Sequence, residues 1–368
     1  MRGIVALVAL TALGMPAGCG GDDAANGTAA VVPVPDGASL GEPGPFGVGT
    51  ARFETIDRSR TDRLVRAMAY YPASTESGAP QRDAAPDSTG APYPVVVGDG
   101  DIGSIMGPHL ASHGFVFVAV QGQSTWGSSL SPDMIDYPLD QMRALDALET
   151  LDDHPLAGLA DTSRSGVIGY SYGSWDALML AGARIDPQHY LSTCAARPPG
   201  WSDSWWTYIC GDGSRWESVV ARAEEVGIAT ADGLWAPFGD DRIKAAMPMG
   251  PEGFDLTGPD GLAGVTVPAL FIAAGNDRNN EYFPATTSLF AHYPGADLIT
   301  FAGADHFMIF EPDAVQQMRR FALAFFGLHL LGADGFAQYL TEDFVERTAP
   351  GLGATDSFDT LVWGLAAP

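Results

Sequence analysis

A chain of 368 residues accommodates one large α/β domain with insertions or two small domains, and 46% hydrophobic residues with 10% aromatics supply a substantial core. The formal charge is -26 and Lys244 is the only lysine, which excludes the basic patches that a nucleic-acid or anionic-lipid partner requires. The same acidity suits a protein that handles neutral or cationic small molecules.

Residues 1–19 have the pattern of an export signal: Met1-Arg2, an apolar run from Ile4 to Leu13, then small residues up to Gly18-Cys19. The run is too short to stay in a membrane as a spanning helix. Met15-Pro16-Ala17-Gly18-Cys19 resembles a bacterial lipobox, with Pro16 where leucine is usual. Cys19 is therefore a candidate lipid anchor in the cell envelope, and ordinary cleavage with secretion is the alternative. Residues 20–45, rich in Gly, Ala, Asp and Pro without periodicity, are expected to form a flexible tether. The domain proper is placed at 46–331.

Strands are expected over Val48–Ile56 and Leu64–Tyr71, followed by a polar, proline-rich loop up to Pro92. Tyr93–Val97 reads as a buried strand running into Gly98-Asp99-Gly100-Asp101-Ile102-Gly103. A helix with Met106, Leu110 and His113 then leads to a strand over Phe115–Val120. This is a βαβ unit of a parallel sheet. Gln121–Pro138, with Trp126, reads as a loop and Asp140–Leu151 as an amphipathic helix.

The next segment carries Gly169-Tyr170-Ser171-Tyr172-Gly173 between an apolar strand and a helix with Trp175, Leu178 and Met179. Strand, G-x-S-x-G and helix together hold a serine hydroxyl on a sharp turn above a sheet edge, glycines keep its neighbours out of the way, and the following N–H faces a developing oxyanion. Ser171 is the candidate nucleophile and the Tyr172 N–H a candidate oxyanion donor.

Residues 186–241 form a long insertion with Trp201, Trp205, Trp206, Trp216 and Trp235, read as irregular. Its aromatic residues fit either a substrate platform or the core of a small lid. Cys194 and Cys210 lie within it, and in an exported chain they are expected to form a disulfide. Three further strands follow, Ile243–Met249, Val267–Ala274 and Ala296–Phe301, then a helix through Val315, Met318, Phe321 and Phe325. The tail, 332–368, is less regular and receives no role.

A serine hydroxyl needs a base to take its proton and an acid to orient that base. Asp277 follows one late strand and His306 the next, so all three groups would meet over one edge of the sheet. Glu252, one strand earlier, is the rival acid. His109 and His113 stand i, i+4 on one helix, but the glutamate and third ligand of a zinc motif are missing. Asp277-Arg278-Asn279-Asn280-Glu281 only faintly echoes a calcium loop. Neither a metal nor an organic cofactor is expected.

With these residues the chain resembles the α/β-hydrolase superfamily, in its branch of dienelactone-hydrolase-like and platelet-activating-factor-acetylhydrolase-like proteins. The resemblance rests on Pro94-Val95-Val96-Val97, Leu110-Ala111-Ser112-His113-Gly114-Phe115, the Ser171 motif, Pro268-Ala269-Leu270 through Asp277, and Gly303 to Phe307. It implies a mostly parallel sheet flanked by helices, a disulfide-containing insertion after the nucleophile helix, and Ser171, Asp277 and His306 as a triad. It also implies oxyanion N–H groups from Tyr172 and Asp101, although Asp99-Gly100 replaces the His-Gly of many relatives. Trp126 and Tyr170 are the candidate substrate contacts. Serine in place of the cysteine of dienelactone hydrolases favours hydrolysis of small-molecule carboxylic esters. A non-catalytic binding protein on the same fold, or an acyltransferase with the same triad, are the alternatives.

Overall fold

The computed structural model describes residues 34–37, 39–76, 78–122, 130–199, 201–211, 213–278, 285–348 and 361–364. The signal segment with Cys19, the tether up to residue 33, Trp126 and positions 279–284 lie outside the described residues.

The strands in chain order are β1 (Gly47–Asp57), β2 (Arg63–Ala73), β3 (Gln81–Arg82), β4 (Tyr93–Asp99), β5 (Val116–Gln121), β6 (Ala160–Tyr170), β7 (Thr230–Ala231), β8 (Leu234–Trp235), β9 (Ile243–Met249), β10 (Leu270–Ala274), β11 (Asp297–Phe301) and β12 (Leu361–Trp363). The helices are α1 (Gly100–Ser112), α2 (Asp133–Leu148), α3 (Tyr172–Leu180), α4 (Pro187–Ala196), α5 (Asp203–Ile209), α6 (Ser214–Glu225), α7 (Phe254–Leu262), α8 (Thr286–His292), α9 (Pro312–Leu330) and α10 (Glu342–Thr348).

Among the described residues, ten strands form one sheet in the order β12-β11-β10-β9-β6-β4-β5-β2-β1-β3. From β5 to β11 neighbouring strands run parallel, and β2, β1 and β12 are antiparallel additions at the two ends. Val95, Val96, Val97, Val116 and Val118 have no exposed surface, as β-branched residues of strands covered on both faces should. Their side chains alternate: Val95 and Val97 pack on the side of Leu145 and Trp175, and Val96 on the side of Leu110 and Phe321. Because β4 sits between β5 and β6, winding reverses there, and the carboxyl ends of these strands open the crevice where open α/β sheets place ligands.

Four departures from the sequence expectation have identifiable physical causes. Helix α2 starts at Asp133, well before Asp140, and contains Pro138. The carbonyl that loses its partner to this proline belongs to Met134, and Trp175 Nε1–H donates to it at 3.0 Å. The tether ends earlier than expected: residues 39–45 dock on the domain, with Leu40 fully buried, the Gly44 N–H on Ser112 Oγ at 2.8 Å and the Glu42 carbonyl 2.9 Å from His113 Nε2.

The insertion is helical, built from α4, α5, α6 and the β7–β8 ribbon, and the Cys194–Cys210 disulfide joins α4 to the end of α5. Its tryptophans form a core: the Trp216 ring stacks on Tyr190 at 4.3 Å and on Trp235 at 5.5 Å. Finally, the tail is part of the fold. β12 pairs antiparallel with β11, and Phe336 and Val345 are fully buried, so the tail covers an edge that would otherwise be open.

A buried charge cluster ties the first hairpin to α2 and to the insertion. Arg60, its side chain 2% exposed, reaches Asp57 at 2.6 Å, Asp140 at 2.7 Å and Asp136 at 3.2 Å. Arg222 of α6 holds Asp136 from the other side at 2.7 Å.

Candidate active site

The turn from β6 into α3 places Ser171 at φ 55°, ψ -121°, a left-handed conformation that costs a serine about 1–3 kcal/mol. The neighbouring glycines make the turn feasible. A Cβ on Gly169 would sit 1.9 Å from the Gly173 carbonyl oxygen, and one on Gly173 would sit 2.6 Å from Asp99 Oδ2. The Ser171 N–H is fixed on the Met249 carbonyl of β9 at 2.8 Å.

His306 opens a short 3-10 helix, His306–Phe310, whose cap is the Asp305 side chain accepting from the Phe307 N–H. Asp305 is thus engaged as the cap of this helix. The loops bearing Asp277 and His306 are bonded to each other: the Asn276 N–H donates to the Ala304 carbonyl at 2.8 Å and Asn276 Nδ2–H to that of Gly303 at 3.1 Å. This brings His306 Nε2 to 2.8 Å from Ser171 Oγ, and Asp277 Oδ2 to 2.7 Å from His306 Nδ1. His306 and Asp277 are 8% and 7% exposed, so the hydrogen-bonded chain of three groups is largely shielded from water.

Glu252 lies on the turn after β9 and points elsewhere. Its carboxylate accepts from the Tyr208 O–H of α5, at 3.0 Å to Oε1 and 3.3 Å to Oε2. Burial pushes the Glu252 carboxyl up to about 7. Tyr208 has no sequence signal that could have marked it, since nothing local links the insertion to this turn.

Tyr172 is the first residue of α3, so its N–H belongs to the turn that finds no acceptor within the helix. Asp101 requires a correction as an oxyanion donor: its N–H donates to Asp99 Oδ1 at 2.8 Å, alongside that of Ile102 at 3.0 Å. Asp99 is the N-cap of α1, a role that its place before a helical run could have indicated. Burial raises the Asp99 carboxyl to about 6.

Tyr170, the other expected substrate contact, lies beside the triad. It is 9% exposed, its ring lies against His306, and its O–H donates to the His306 carbonyl at 2.7 Å. It braces the histidine loop. His109 and His113 are buried with ring centroids 4.8 Å apart. Among the described residues no group of three or more His, Cys, Asp or Glu is arranged to hold a metal ion.

A strained serine between glycines, at the carboxyl edge of a doubly wound parallel sheet, with a histidine and an aspartate arriving from later strands in that order, defines the hydrolase-type α/β class. The model of the alpha/beta hydrolase family matches residues 103–317, more than half of the 368 residues, and the chain belongs to that family. No curated protein matches the chain.

Proposed function

We propose that the protein is an exported serine hydrolase that cleaves carboxylic esters of small molecules through an acyl-enzyme. The observation that carries this reading is the continuous chain Ser171 Oγ, His306, Asp277 at 2.8 and 2.7 Å. His306 Nε2 takes the Ser171 proton as Oγ attacks the ester carbonyl. Asp277 holds the other ring nitrogen and stabilises the imidazolium that forms. The Tyr172 N–H supports the oxyanion. The imidazolium then protonates the leaving alcohol, and a water deprotonated by His306 releases the acid. The chemistry is complete with these side chains and backbone groups.

Serine as nucleophile supports an ester substrate within the dienelactone-hydrolase-like and acetylhydrolase-like branch. The signal-like residues 1–19 and the disulfide support export, with Cys19 a candidate lipid anchor. Replacing Ser171 by alanine should abolish p-nitrophenyl ester hydrolysis and fluorophosphonate labelling while leaving the thermal melt nearly unchanged. Turnover retained by Ser171→Ala would remove the assignment.

A further inference from the structure

The short helix that opens with His306 has an inner and an outer face. Met308 and Ile309 are 1% and 7% exposed and pack into the core, whereas Phe307 and Phe310 are 48% and 55% exposed. Positions i and i+3 of a 3-10 helix eclipse, so these two rings share the outer face. Among the described residues no other Phe, Tyr or Trp side chain is so exposed. Apolar residues scattered singly over a surface need no explanation, but here both exposed rings stand together, and they start next to the histidine of the triad. The Phe307 ring lies 5.9 Å from the His306 ring at an interplanar angle of 85°, an edge-to-face pair. The backbone beneath them is fixed by the Phe307 N–H on Asp305 Oδ1 at 2.8 Å and by the Tyr170 O–H on the His306 carbonyl at 2.7 Å.

We propose that Phe307 and Phe310 bind the alcohol portion of the ester, and that the enzyme prefers esters of apolar alkyl or aryl alcohols. This deepens, and rests on, the reading of Ser171 and His306 as nucleophile and general base. The chemistry itself separates the two halves of the substrate. The carbonyl oxygen turns to the Tyr172 N–H at the start of α3, while the leaving oxygen must come within reach of His306 Nε2, which protonates it. The alcohol therefore departs on the side of the imidazole. Of the two rings that neighbour the imidazole among the described residues, Tyr170 is 9% exposed and Phe307 48%, so Phe307 is the one that meets a group arriving from solvent. Phe310 extends the apolar strip outward by one helical turn.

The test compares dissolved, monomeric methyl, butyl and hexyl acetate, with acid release followed by titration at constant pH, in wild type and in Phe307→Ser/Phe310→Ser. A methylene fully removed from water is worth about fourfold, so on an open strip kcat/KM for hexyl acetate should exceed that for methyl acetate by about tenfold or more in wild type. In the double variant that ratio should fall to about threefold or less. The acetate, butyrate and hexanoate of p-nitrophenol share one alcohol, and their order among themselves should be the same in both proteins. A wild-type ratio near one, or a ratio that the double variant retains, overturns the proposal. So does a change confined to the p-nitrophenyl acyl series, which would put the strip on the acyl side. A retained ratio with loss of co-sedimentation on phosphatidylcholine vesicles would assign the strip to a lipid surface and overturns it equally. If the double variant does not fold, Phe307→Ser alone is judged by the same ratio. No turnover of any ester by wild type removes the hydrolase reading and this assignment with it, whereas turnover with an unaltered ratio removes this assignment alone.

Discussion

Changing Asp277 to asparagine should separate the two carboxyl groups near His306. The Asp277 side chain is 4% exposed and its Oδ2 lies 2.7 Å from His306 Nδ1, so the negative charge faces the ring that becomes positive during attack. For charges about 4 Å apart at an effective dielectric of about 20, that attraction is about 4 kcal/mol. At 1.36 kcal/mol per tenfold in rate, its loss corresponds to about a thousandfold. The amide adds a second penalty, because an N–H pointed at Nδ1 selects the tautomer whose Nε2 carries the proton and cannot accept one from Ser171. Initial rates on a p-nitrophenyl ester should therefore show kcat for Asp277→Asn down by about 10³ or more, with KM little changed. Glu252→Gln, measured alongside, should lose less than about tenfold, since its carboxylate contacts Tyr208 and not the ring. An Asp277→Asn loss below tenfold, or a larger loss in Glu252→Gln, would refute the assignment of the acid.

Stability against pH gives a further check on Glu252. A carboxyl raised from 4.5 to about 7 in the folded chain keeps a proton there that the unfolded chain has already released, so it contributes stability below 4.5 that is lost as pH rises towards 7. The advantage of Glu252→Gln over wild type in urea unfolding should grow by about 3 kcal/mol between pH 4 and pH 8; a flat difference would contradict the raised carboxyl. The buried His109 and His113 are lowered by burial and act in the opposite sense, but equally in both proteins. Asp136→Ala would leave Arg60 and Arg222 facing each other without their shared carboxylate and should cost about 3–5 kcal/mol, read from the denaturant midpoint. Tyr170→Phe removes the hydrogen bond to the His306 carbonyl and should cost about 1–3 kcal/mol and lower kcat, with a wild-type melt and rate counting against its bracing role.

Legibility of the fold in the sequence followed the range of the interactions involved. The continuous apolar runs 95–97 and 116–120, bounded by glycine and polar residues, are local signals of strands buried on both faces, and their strands stand where those runs predict. The Ser171 turn was equally legible, because a left-handed serine between two glycines is a local steric requirement. Helix α2 was misread at its start because proline is a local breaker, and the compensation, an indole N–H from Trp175, comes from forty-one residues away. The helices of the insertion were hidden for a related reason. Trp216, Val219 and Ala223 of α6 are buried at helical spacing, yet in a segment dense with glycine and tryptophan that spacing does not stand out.

The candidate site divides along the same line. Ser171, Asp277 and His306 could each be named from a strand end, but Asp101 could not be excluded until Asp99 was seen to take its N–H, a competition between a side chain and an expected oxyanion site. Tyr208 lies furthest from local reading. Its place is set by the disulfide, by the aromatic stack of Tyr190, Trp216 and Trp235, and by the hold of Arg222 on Asp136. Each of these contacts orients the insertion as a body, and the hydroxyl on Glu252 follows from that orientation. A sequence-level search for a partner such as Tyr208 would therefore do better to ask which buried carboxyl lacks a local donor than to search the insertion itself, since an unpaired buried carboxylate is costly and its partner must come from whatever segment packs on it.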